Sequence, residues 1–306
     1  LIGADLDRLL AGARAELAAL GAGGAAREVP GVRLGAALGE LALRGRDKLT
    51  LLLDAPFAAF GGWVEQLVAE STGKEGEGIV PVVEESLAAP DLYSEDRVVA
   101  VLGAFDGARE TARSIAALES AGHPVFEWDP GEHGLGAEFV RWEIATATAA
   151  AILGIDPFDE PNVAEAKQAT QSVLEGYLVS GRFPADPPLA AAGGIEAHAP
   201  SHVVGRCRLH APAPAAPTAW VTALLSLARP GDYLALLAYM HRTPERHDRI
   251  ERLRLGLRNA SRLATTTGYG PRFLHSTGQL HMGGPNTGLF VQITCDEGED
   301  LPIPGE

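Results

Sequence analysis

The chain has 306 residues, 46% of them apolar, and a formal net charge of −15. That length accommodates one large or two medium domains, and that composition supplies a substantial core. The acidic balance excludes a general nucleic-acid binder, which needs a basic face.

Residues 4–20 predict a helix with Leu6, Leu9, Leu10, Ala13 and Leu17 on one face, stopped by the glycines from Gly21 to Gly24. Pro30–Leu43 predict a second helix, Arg44–Asp47 a turn, and Lys48–Leu53 a short apolar strand. After Pro56, the residues Phe60, Trp63, Val64, Leu67 and Val68 recur at helical spacing. This helix ends in Trp63–Lys74, WVEQLVAESTGK, the stretch with most chemistry in it. Glu70 lies on the flank of the apolar stripe, where partial desolvation raises a carboxylate's pKa toward the range of a general base. Ser71 and Thr72 offer hydroxyls, Gly73 lets the backbone turn, and Lys74 adds a cation. The same residues also suit an ordinary helix end with a glycine cap.

Lys74–Gly78 reads as a polar loop, and Ile79–Val83 as a strand that Pro81 confines to an edge. Arg97–Phe105 is a buried strand, Glu110–Ala121 a helix ended by Gly122, and Val125–Trp128 another strand. This alternation predicts an α/β fold, a parallel sheet with helices on both sides. Ligands in such folds bind beyond the carboxyl ends of the strands. Gly134–Gly154 is an alanine-rich helix, Asp156–Pro161 a turn, and a further helix carries Lys167 about two turns in. Residues 181–217 are rich in Pro, Ala and Gly and read as a linker. Beyond it come a helix over Thr218–Ala228, a strand over Asp232–Met240, and a helix over Thr243–Leu257 capped by Thr243. Arg262–Thr267 and Leu289–Thr294 are further strands. The expected organisation is a domain at 1–180, a linker at 181–217 and a smaller α/β lobe at 218–306.

Two cysteines, Cys207 and Cys295, give no disulfide framework. The absence of a secretory signal or a long apolar run predicts a cytoplasmic protein without a membrane partner. The first residue is Leu1 rather than methionine, which suggests a processed, trimmed or incomplete chain.

AESTGK, at Ala69–Lys74, resembles the Glu-Ser-x-Gly-Lys signature of phosphoglucose isomerases. PFDEPNVAEAK, at Pro157–Lys167, resembles the same family's Phe-Asp-Gln-x-x-Val-x-x-x-Lys signature, and the two occur in the family's order. Gly268–Thr294, GYGPRFLHSTGQLHMGGPNTGLFVQIT, is similar to the isomerase part of fused transaldolase/phosphoglucose isomerases, of which the chain resembles the C-terminal portion. The resemblance implies a sugar-isomerase (SIS-type, flavodoxin-like) domain and interconversion of glucose 6-phosphate and fructose 6-phosphate through an enediol. It implies Glu70 as the proton-transferring base and Lys167 as a catalytic lysine. Ser71, Thr72, Gly73 and Lys74 become candidate substrate contacts. The resemblance implies His281 as the ring-opening histidine, with His275 as its competitor and a candidate substrate contact. His281 resembles a His-x-x-Gly-Gly-x-Pro-Asn pattern with one residue fewer, and it follows Lys167 where the family's histidine precedes it. Met282 stands where the fused enzymes are expected to carry lysine.

In the family this histidine comes from a neighbouring subunit, so a homodimer is implied. The family's phosphate-binding loop and its enediolate-stabilising arginine belong to an upstream isomerase domain, and the Schiff-base lysine to a transaldolase domain. No Gly-Arg-[Phe/Tyr]-Ser stretch occurs in this sequence. Two other readings stay open: a non-catalytic sugar-phosphate-binding module, and a fragment whose pocket needs its upstream partner. His241, His247 and Asp248 lie on a charged helix surface rather than at zinc spacing, and the glycines near Gly21 and Gly193 lack a strand before and a helix after. Neither a metal nor a nucleotide cofactor is expected.

Overall fold

Two parallel sheets organise the chain, as the strand–helix alternation predicts. The computed structural model describes residues 3–21, 26–105, 109–131, 134–183, 187–210 and 215–295. In chain order come α1 (Leu6–Gly21), α2 (Pro30–Ala42), β1 (Lys48–Leu53), α3 (Phe60–Thr72), β2 (Val80–Val82), β3 (Arg97–Leu102), α4 (Arg109–Ser120) and β4 (Val125–Trp128). Next are α5 (Gly134–Leu153), α6 (Pro161–Ser180), β5 (Ala190–Ala192), β6 (Ile195–Ala197), α7 (Ser201–His210) and α8 (Ala219–Leu225). The chain continues through β7 (Tyr233–Tyr239), α9 (Pro244–Ser261), β8 (Ala264–Tyr269), α10 (Ser276–Gly283) and β9 (Gly288–Thr294).

The first sheet has the order β2-β1-β3-β4, all parallel. That is the flavodoxin-like strand order. Successive side chains of a strand point to opposite faces. Leu49, Leu51, Val98, Ala100 and Leu102 accordingly face α2, α3 and α5, while Leu52, Val99 and Val101 face Ile115 and Leu118 of α4. Both faces are covered, so the strands read as near-continuous apolar runs. β2, which carries Pro81, is an edge strand as expected. The strand expected to reach Phe105 stops at Leu102, because Gly103 turns the chain at φ +108°. Helix α2 lies flush on α5 through Gly31, Gly35 and Gly39. A Cβ on Gly35 would stand 2.2 Å from the carbonyl oxygen of Ala145.

The second sheet has the order β8-β7-β9, also parallel. One face of β7, with Leu234, Leu236 and Ala238, packs on Ile250 of α9. The other, with Tyr233, Ala235 and Leu237, packs on Ala69, Val80, Phe273 and Leu280. The end of α3, the edge strand β2 and α10 thus form the junction with the second sheet. Across this junction Glu85 gathers three buried arginines. Its carboxylate lies 2.9 Å from Arg97, 3.4 Å from Arg258 and 3.9 Å from Arg254. Arg254 and Arg258 also donate to the carbonyls of Val83 and Ser86.

The linker reading of 181–217 is corrected in part. β5 and β6 pair as an antiparallel hairpin whose two-residue turn, Gly193–Gly194, has both φ angles positive, at 61° and 75°. In α7, Val204 and Cys207 pack against Trp220, Ala223 and Leu227. Helix α10 is a further element that the apolar pattern does not announce.

Candidate functional site

Glu70 sits near the C-terminal end of α3. A helix joining two parallel strands runs back against them, so this end lies at the amino edge of the first sheet. The site is therefore not beyond the carboxyl ends, where the fold type alone directs attention. Its other wall comes from the second unit. The stretch from Arg272 to Gly283 runs beside α3 and touches it in order. Arg272 Nη2 donates to the carbonyl of Gly62 at 3.0 Å and to Glu65 Oε2 at 2.9 Å. His275 Nδ1 lies 3.9 Å from Glu70 Oε2. Gln279 Nε2 donates to the carbonyl of Gly73 at 2.9 Å.

The Glu70–His275 separation exceeds a hydrogen bond and places the carboxylate and the imidazole side by side. Both are open to water, with side chains 33% and 60% exposed. His275 Nδ1 also lies 3.3 Å from the hydroxyl of Ser276. A carboxylate and an imidazole side by side, reachable from solvent, can transfer protons to and from a bound carbon and oxygen.

The stretches quoted above for the resemblance meet in space. Lys74, at the end of the first, reaches the carboxylate of Asp159 in the second at 2.9 Å and also donates to that residue's backbone carbonyl. Gln279, from the third, donates to Asn162 Oδ1 at 2.9 Å and accepts from the Asn162 amide at 3.1 Å. Fully buried, it ties α10 to both of the others. Three of the candidate contacts are turned inward. Lys74 is 1% exposed and paired with Asp159. Thr72 is fully buried, its hydroxyl donating to the carbonyl of Val68 and accepting from the amide of Ile79. Gly73 serves packing. A Cβ there would lie 2.3 Å from Leu280 Cα. Ser71 remains partly exposed beside Glu70.

His281 is largely buried against Tyr233 and Phe290, with ring centroids 6.1 and 5.0 Å away. Burial pulls its pKa down to about 4, so the ring is neutral at pH 7. Lys167 stands exposed on α6. Among the described residues, no ion pair joins it to Glu70. Met282 is exposed. Sequence reasoning missed Glu65, Asp159, Arg272 and Gln279. All four lie inside the stretches quoted above, which was the available signal. Burial pushes Glu65 up to about 6, against the pull of Arg272.

Among the described residues no group of three or more His, Cys, Asp or Glu side chains is placed to hold a metal ion. No described helix is long and apolar enough to cross a membrane.

No family model matches the chain. A glucose-6-phosphate isomerase from Rubrobacter xylanophilus is 29% identical over 209 residues, covering 55% of this chain and 48% of that protein. The chain thus spans about half the length of this curated relative. A solved hypothetical protein from Thermus thermophilus matches 56% of this chain and 51% of its own, at a TM-score of 0.46 and 20% identity.

Proposed function

We propose that the protein is an aldose–ketose isomerase of the glucose-6-phosphate isomerase type, and that Glu70 is its proton-transferring base. The observation that carries this is the meeting of Glu70 with His275 at 3.9 Å, at a junction where stretches separated by 85 residues are bonded through Lys74 and Asp159. The similarity to the Rubrobacter protein supports the same reading.

In this reading Glu70 removes the proton from the carbon beside the sugar carbonyl. It returns that proton to the neighbouring carbon of the enediol. One base reaching both carbons needs a side chain fixed at its root and open at its tip, and Glu70 ends a packed helix with its carboxylate partly exposed. His275, with Nδ1 turned toward Glu70, offers Nε2 to the ring oxygen during ring opening. His281, buried and neutral, is less suited to that step than its neighbour. Lys167 acts in ring opening if substrate or a second subunit brings α6 toward Glu70. Ser71 is the hydroxyl nearest the base in sequence. The phosphate cradle and the enediolate-stabilising arginine are proposed for residues outside this chain, and a homodimeric assembly is proposed with them.

The test is fructose 6-phosphate turnover by the intact gene product and by its Glu70→Gln variant, with the 306-residue chain as a third sample. Loss of a general base costs about 10²–10⁴-fold in rate. Glu70→Gln turning over as fast as wild type, or an inactive folded wild type, sinks the proposal. A sugar-phosphate-binding module then becomes the better reading.

A further inference from the structure

We propose that Arg272 is a positioning residue of this site, an anchor that holds His275 against Glu70. The inference rests on the isomerase reading above for its chemistry, and on contact order along α3 for its geometry. Arg272 grips α3 at Gly62 and Glu65, Gln279 grips it at Gly73, and the Glu70–His275 contact lies between these two fixed points. Among the described residues, no hydrogen bond joins His275 itself to α3. Its backbone is set by the short helical turn Arg272–Leu274, closed by the His275 amide donating to the Arg272 carbonyl at 3.1 Å. Moving Arg272 therefore moves the turn, and moving the turn moves the imidazole.

The anchor is built to hold. Glu65 is buried on α3, and Arg272 meets it with a charge-assisted bond while also binding a main-chain oxygen of the same helix. Misplacement of a catalytic group by about 1 Å can cost about 10²-fold in rate. Loss of the anchor should accordingly register in kcat.

The experiment is a double-mutant cycle on the intact gene product with fructose 6-phosphate. Arg272→Met is expected to lower kcat by about ten- to a hundredfold with KM within about twofold of wild type. In a His275→Ala background the same change is expected to cost less than about twofold, because the group it positions is gone. Arg272→Lys is expected to recover part of the loss. An equal loss in both backgrounds, or a rise in KM alone, overturns the proposal in favour of direct ligand contact. A second readout does not use turnover. Hydrogen exchange of the amides from Phe273 to Ser276 should speed up in Arg272→Met and in Glu65→Gln. Unchanged exchange overturns the anchor whatever the kinetics show. Faster exchange in a protein whose Glu70→Gln variant is fully active keeps the anchor and removes the isomerase reading instead.

Discussion

Lys74 and Asp159 form an ion pair whose two ends live in different media. The lysine side chain is 1% exposed and the aspartate 53%. Removing the aspartate leaves a buried ammonium with a backbone carbonyl but no counter-charge, whereas removing the lysine leaves only a carboxylate that water can solvate. Asp159→Ala should therefore cost more stability, about 2 kcal/mol or above, than Lys74→Met at about 1 kcal/mol. Urea unfolding of both variants measures the order, and the reverse order would contradict the burial argument.

The two histidines should separate cleanly in kinetics. His275→Ala is expected to lower fructose 6-phosphate turnover by about 10²-fold or more. His281→Phe keeps the aromatic packing against Tyr233 and Phe290 and should change turnover by less than about threefold. A larger loss at His281 than at His275 would move the ring-opening role to the buried residue.

Glu65 and His281 pull the pH dependence of stability in opposite directions. Glu65 has a folded pKa raised from 4.5 to about 6 by burial, opposed by Arg272 and Arg254 and reinforced by Glu84. The folded state holds that proton more tightly, so stability falls by about 2 kcal/mol as pH rises through this window. His281 has a folded pKa lowered from 6.5 to about 4 by burial. The unfolded chain takes up that proton first, so stability falls by up to about 3 kcal/mol as pH drops across that range. The wild type should show a shallow profile between pH 4.5 and 6. His281→Phe should uncover the loss on raising pH, and Glu65→Gln the loss on lowering it. Urea midpoints across this range decide it.

Two glycines fail differently when filled. Gly35→Ala drives a methyl into the carbonyl of Ala145, far from the site, and should cost about 1–3 kcal/mol while leaving turnover intact once the protein is folded. Gly73→Ala drives one into Leu280 of α10, and should lower both stability and turnover because α10 carries the far end of the clamp on α3. Thermal melts paired with kcat distinguish the two.

The strands were the most legible part of the sequence. Lys48–Leu53 and Val125–Trp128 fold over the predicted spans because continuous apolar runs bounded by turn residues leave a parallel strand few alternatives. α10 shows no such pattern. HSTGQLHMGG has little apolar periodicity, and its helix is held by Gln279 bonding to Gly73 and Asn162, contacts of long sequence separation. The hairpin at Gly193–Gly194 carried a turn signal that the surrounding alanine and proline obscured. Within the site, the place of Glu70 on the flank of an amphipathic helix was legible from spacing, and its proposed role came from the resemblance. The burial of Lys74 was not, because a lysine before a polar loop is ordinarily solvated. The pairing of Glu70 with His275 joins residues from two sheets, which no local pattern encodes.

The Glu85 cluster bears on how the molecule comes apart. Parting the sheets would leave Glu85 and Arg97 on one bank and the Arg254 and Arg258 guanidinium groups on the other, and it would strip Val83 and Ser86 of their donors. Such an opening has no gentle intermediate, so the N- and C-terminal halves should melt in one calorimetric transition. A protease cut within 181–217 should leave two pieces that stay together on a sizing column.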